Sequence, residues 1–179
     1  KFLGNLSNVD AIIHLVRCFE DNDITHVNNK VFPIEDIKVI ETELLLSDLE
    51  KVDRIIENYQ KKNKGKKVDQ NFLETLEKSR NFLEDGRSLR NLGYSESQED
   101  LIKSFNLLTY KPIIYVCNVD ENSIINGNQY SKQVEVYSNE KNLGCMKISA
   151  KIESEISGFK LESEKKEFLE SIGLQETSL

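Results

Sequence analysis

The chain has 179 residues, 31% of them charged and 38% hydrophobic, which is long enough to bury a full core and too apolar for general disorder. Its net charge of −7 argues against bulk affinity for DNA, RNA or anionic lipid and leaves such contacts to a local basic patch. No stretch reaches the length of a membrane span, no signal-peptide pattern opens the chain, and the scattered Cys18, Cys117 and Cys145 predict reduced thiols in a cytoplasmic protein.

In chain order, Asp10-Ala11-Ile12-Ile13-His14-Leu15-Val16-Arg17 is a short apolar run that predicts a buried strand. A polar loop follows over 20–29, and Pro33 then opens a long helix, with Glu35 and Asp36 at the positive end of its dipole. Leu45, Leu49, Val52, Ile56 and Tyr59 are spaced four, three, four and three, a heptad seam. The seam stops at 61–67, where Lys61, Lys62, Lys64, Lys66 and Lys67 cluster. Asp69 can cap a second helix carrying Leu73, Leu76 and Leu83, so the two helices predict an antiparallel hairpin with a basic tip. Such a tip offers phosphate backbones a contact, although like charges also mark an ordinary soluble turn. Ser95 and Gln98 form a capping box for a third helix bearing Leu101, Ile102, Phe105 and Leu108.

After Pro112 the pattern changes. Residues 113–117 read as a buried strand, 128–142 as an amphipathic helix, 145–149 as a strand and 162–172 as a final helix. Strands alternating with helices predict an α/β fold with a parallel sheet covered on both faces and interrupted by the helical hairpin. The expected organisation is 1–42 and 108–179 as parts of one nucleotide-binding domain, with 43–107 inserted as a helical coiled-coil domain.

Asn118-Val119-Asp120-Glu121 follows the buried run 112–117. It resembles the Asn-Lys-x-Asp motif with which P-loop GTPases read guanine, with Val in place of Lys and Glu in place of Asp. Ligands of open parallel sheets bind at the carboxyl ends of strands. There the Asn118 amide can bridge loops and touch a purine, Val119 can pack on its face, and Glu121 has one more methylene than the guanine-reading Asp. Guanine offers donors at N1 and N2, whereas adenine offers one at N6, so such a change alters selectivity through paired and unpaired polar groups. Ser149 and Ala150 end the next strand and can complete the pocket, or Ser149 can simply cap a helix. Asn81-Phe82-Leu83-Glu84 fits the same Asn-x-x-Glu pattern but lies in a helical stretch.

Other constellations read as structural. His14, Cys18 and His26 match no zinc spacing, and Glu20, Asp21 and Asp23 lack the calcium-loop pattern around a fixed Gly. With two histidines so close together, no nucleophilic triad emerges. No Gly-x-x-x-x-Gly-Lys-Ser/Thr loop occurs, so this sequence holds a base reader without a phosphate cradle.

Residues 10–20 followed by Ile24-Thr25-His26-Val27, and Leu108-Thr109-Tyr110-Lys111-Pro112 leading into Asn118-Val119-Asp120-Glu121, resemble the YchF/Obg-like ATPase family over essentially the whole chain. The resemblance implies a translation-factor-class P-loop NTPase that hydrolyses ATP in preference to GTP, with Mg²⁺, and associates with ribosomes. It implies that Asn118, Val119 and Glu121 contact the adenine region, with Ser149 and Ala150 bordering it. It also places the family's P-loop, magnesium ligands and switch segments before Lys1 and its TGS domain beyond Leu179, in keeping with an opening Lys1-Phe2-Leu3 that lacks Met. Two other readings stand beside it: a non-enzymatic adaptor that uses the helical hairpin, and a conventional Obg-type GTPase.

Overall fold

The computed structural model describes residues 4, 6–21, 31–64 and 68–175, in two compact units. One unit comprises residues 1–12 and 38–112, the other 13–37 and 113–179.

The first unit is helical. Helix α1 (Pro33–Lys62), which belongs to this unit from Lys38 onward, is followed by α2 (Gln70–Glu84). Asp69 caps α2, its carboxylate accepting from Phe72 N–H at 3.2 Å. The helices run antiparallel, because their pairings move in opposite directions along the chain. Tyr59 stacks on Phe72 at 4.2 Å, and Asp53, further back, meets Arg80, further on, at 2.7 Å. The heptad seam faces the core, where Val52 packs with Leu76, Phe82, Leu83, Leu89, Ile102 and Leu107, flanked by Leu45, Leu49 and Ile56.

Helix α3 (Glu96–Ser104) starts at the expected capping box, with Gln98 Oε1 accepting from Ser95 N–H at 3.1 Å. Its end departs from expectation. Asn106 takes a left-handed φ of 49°, so Leu108 lies in a separate 3-10 turn, Leu108–Tyr110, rather than on the helix. Asp48 holds that turn from α1. Its carboxylate is 1% exposed and accepts from Leu108 N–H (2.8 Å), Thr109 N–H (2.7 Å) and Thr109 Oγ1 (2.7 Å). Burial raises the Asp48 pKa, against the lowering effect of these bonds. Ser88 Oγ donates to Thr109 O, Arg90 Nε to Lys111 O, and the Lys111 amine to Ser7 O, so the turn is tied on several sides.

The second unit, from Ile13 onward, holds the sheet, whose strands are β1 (Ile12–Arg17), β2 (Ile113–Asn118) and β3 (Gly144–Ile148) in the order β1-β2-β3. β2 and β3 are parallel, with Ile114 opposite Gly144 and Asn118 opposite Ile148. Hydrogen bonds from Ile12 N–H to Pro112 O and from Cys18 N–H to Asn118 O advance together along β1 and β2, the mark of a parallel pair. Helix α4 (Gln129–Glu140) covers one face through buried Val134 and through Tyr137, which sits 6.2 Å from Tyr115. Gly127, at φ 67°, opens the way to α4, and a Cβ there would lie 2.6 Å from Ser131 Oγ.

Helices α5 (Ala150–Gly158) and α6 (Glu162–Ser171) follow β3 and bury Ile152, Ile156 and Leu169. α5 is missing from the sequence pattern beyond the capping reading of Ser149. β1 is less buried than its composition predicts: Ile12 and Val16 are in the core, whereas Ile13 is 72% and Leu15 56% exposed. Successive strand side chains point to opposite faces, and at this edge strand one of those faces is open. Among the described residues, no helix is long and apolar enough to cross a membrane.

Candidate functional site

The carboxyl ends of β2 and β3 converge on a small polar constellation. Asn118 closes β2, and its Oδ1 accepts the N–H of Ala150, the first residue of α5, at 2.9 Å. That bond fixes which way the amide faces and leaves Nδ2 as a donor. Val119 extends the pairing by donating its N–H to Ile148 O at 2.9 Å. Its side chain is buried, at 2% exposed.

Asp120 organises the next turn. It caps the 3-10 turn Glu121–Ser123, accepting from Asn122 N–H at 3.1 Å and Ser123 Oγ at 2.8 Å. Asn128 caps α4 with its Oδ1, while its Nδ2 donates to Cys18 O at 2.6 Å. The loops after β1 and β2 are thereby linked.

Glu121, first in that turn, forms an ion pair with Lys151, second in α5. The hydrogen bond from Lys151 is the main cause holding the Glu121 carboxyl below its ordinary pKa, and the pairing raises the Lys151 ammonium. Ser149 is 1% exposed and caps α5, with Oγ accepting from Ile152 N–H at 3.4 Å. Its hydroxyl therefore serves the helix. Asn118, Glu121, Ser149 and Ala150 come together after the ends of β2 and β3, with Val119 buried beside them. A cavity of about 440 Å³ beside them is lined by Glu121, Asn122, Ile124, Ile125, Ile152, Glu155, Phe168 and Ile172.

Lys151 escaped the sequence reading, yet it carried a signal. A cation in the first turn of a helix opposes the macrodipole, so a lysine directly after a cap and Ala calls for an acidic partner.

Elsewhere the expected structural readings can be placed. Asn81 and Glu84 lie on α2, with Glu84 paired to Arg80 at 3.0 Å. Cys18, Cys117 and Cys145 are free thiols, with Cys117 and Cys145 sulfurs 3.7 Å apart. Burial leads the effects that push the Cys145 thiol up to about 12. Among the described residues, no group of His, Cys, Asp and Glu could hold a metal ion, and Asp23 and His26 lie outside those residues. Lys61, Lys62 and Lys64 are exposed at the end of α1, where Lys61 pairs with Glu57 at 3.2 Å. Lys66 and Lys67 lie outside the described residues.

No family model matches the chain. Among curated proteins, it is 42% identical over 183 residues to the ribosome-binding ATPase YchF of Bacillus subtilis, covering 100% of this chain and 50% of that protein. The protein of the same name from Haemophilus influenzae is 40% identical over 180 residues, again 100% of this chain and 49% of the relative. Among solved structures, the YchF GTPase of Schizosaccharomyces pombe matches with a TM-score of 0.82 and 28% identity over 97% of this chain and 48% of that one. The chain thus spans about half the length of the curated relatives it matches.

Proposed function

Since the chain belongs to the YchF family along the half of those proteins that it matches, we propose that the intact protein binds and hydrolyses ATP in preference to GTP and works on the ribosome. This chain supplies the base-reading side of the nucleotide site and a helical arm. Asn118 donates from Nδ2 to the purine, a contact both purines accept, while Glu121 carries the discrimination and Ser149 and Ala150 shape the border. The observation that carries this reading is the bond from Ala150 N–H to Asn118 Oδ1, which ties the motif after β2 to the one after β3. The organisation that fits it is a nucleotide-binding domain formed by 1–42 and 108–179 around the inserted arm 43–107.

The residues here fit the base end of ATP and no more. The sequence has no glycine-rich phosphate loop, and the described residues include no cluster suited to Mg²⁺. ATP and Mg²⁺ would supply the reacting phosphoryl group and its charge neutralisation from elsewhere in the intact protein.

A competition titration of ATP against GTP on the intact protein with Mg²⁺ tests the proposal. An ATP preference of about tenfold or more, roughly 1.4 kcal/mol, is expected, and Glu121→Asp should narrow it. Val119→Lys is a poor companion change, because Val119 is buried. A GTP-preferring site is the second reading, in line with the name of the Schizosaccharomyces pombe protein; a GTP preference in the same titration would establish it. Binding of neither nucleotide would favour an adaptor.

A further inference from the structure

The ion pair between Glu121 and Lys151 has a use beyond holding two elements together. The pair is open to solvent, with side-chain exposures of 38% for Glu121 and 68% for Lys151, and exposed pairs add little to stability. Lys151 also sits where the α5 dipole disfavours a cation. What the contact does achieve is to occupy one carboxylate oxygen, Glu121 Oε1.

Reading guanine with a carboxylate takes two acceptor oxygens side by side, one for N1–H and one for N2–H. Adenine presents neither donor and asks for a single acceptor, at N6. A Glu121 with Oε1 held by Lys151 keeps Oε2 fully open, while at Oε1 the ammonium competes with any approaching N–H donor. The neighbouring Ala150 N–H, a donor that could serve the guanine O6, is likewise occupied, by Asn118 Oδ1. Guanine would leave polar groups unpaired here, the kind of mismatch that discriminates strongly between ligands.

We propose that Lys151 is a specificity-determining positioning residue, which disfavours guanine nucleotides by withholding one of the two Glu121 oxygens that their N1–H and N2–H require. This rests on the base-reading role proposed above for Asn118 and Glu121. It assigns selectivity to a pair of residues rather than to the length of Glu121 alone.

The test is the ATP and GTP titration on the intact protein carrying Lys151→Ala or Lys151→Arg, with thermal melting alongside. Lys151→Ala is expected to tighten GTP and shrink the ATP:GTP affinity ratio by about tenfold, with little change in Tm. Lys151→Arg, which can engage both carboxylate oxygens at once, should keep GTP disfavoured. An unchanged ratio in Lys151→Ala would overturn the assignment, as would equal weakening of both nucleotides, the signature of a merely structural role. Asn118→Ala and Glu121→Ala separate the two levels. If both leave ATP and GTP binding untouched, the base site lies elsewhere and both proposals fall. If they weaken binding while Lys151→Ala keeps the ratio, only the role of Lys151 falls.

Discussion

Asp48 shows how a single carboxylate can organise a segment sixty residues away in sequence. It takes three donors at 1% exposure, so removing it strands three buried polar groups at once. Asp48→Ala should therefore cost about 3–5 kcal/mol of stability, as for other broken buried charge networks, read from denaturant unfolding. The pH dependence has a definite sign. Because burial raises the folded pKa of Asp48 above its unfolded value, the folded state binds the proton more tightly. Its contribution to stability is then fully favourable below the unfolded pKa and declines as pH rises through the folded value. Asp48→Asn should remove that component from the stability curve above the ordinary carboxylate range.

At this scale the sequence was partly legible. Asn118 closes β2, and Ser149 and Ala150 follow the end of β3, as their places in the sequence indicate. Asp48 and Lys151 take their meaning from partners distant in the chain, Thr109 for one and Glu121 for the other, and no local pattern announces those pairings.

Among the elements, ends with a local chemical cause could be read in advance. Asp69 caps α2, and Ser95 with Gln98 opens α3. The end of α3 could not, since the apolar spacing runs on to Leu108 and only the left-handed turn at Asn106 stops it. α5 has just two buried apolar residues, Ile152 and Ile156, too few to stand out. The antiparallel pair α1 and α2 yields a graded prediction. Leu76→Ala, at a fully buried seam position, should cost about 2–5 kcal/mol. Asp69→Ala removes one cap and should cost about 0.5–2 kcal/mol. Chemical denaturation of the two variants checks the order, and equal costs would mean that the seam is not the main support of the arm.

For the whole molecule, the net charge of −7 makes the lysines at the end of α1 stand out as a local reversal of sign. If the arm meets ribosomal RNA, replacing Lys61, Lys62 and Lys64 with Glu should sharply reduce co-sedimentation of the intact protein with ribosomes. The loss should be greatest at low salt, because binding through phosphate contacts releases counterions. ATP binding should be unchanged in the same variant. Retained co-sedimentation would move the partner surface elsewhere. Composition excluded general disorder and the alternation of strands and helices revealed the sheet, while the exposure of Ile13 and Leu15 on β1 depends on what covers that face, which no single segment encodes.

The Asp48 contact also acts as an index mark on a long rod. α1 is one continuous helix from Asp48 to Lys62, so fixing the azimuth of one carboxylate fixes the azimuth of every later side chain. A single residue inserted beyond Asp48 would swing the lysine end by about 100°, whereas a seven-residue insertion would return it to within about 20°. The direction in which the lysines face is thus dictated roughly 20 Å away, and arms that keep that heading can differ in length by sevens but not by ones.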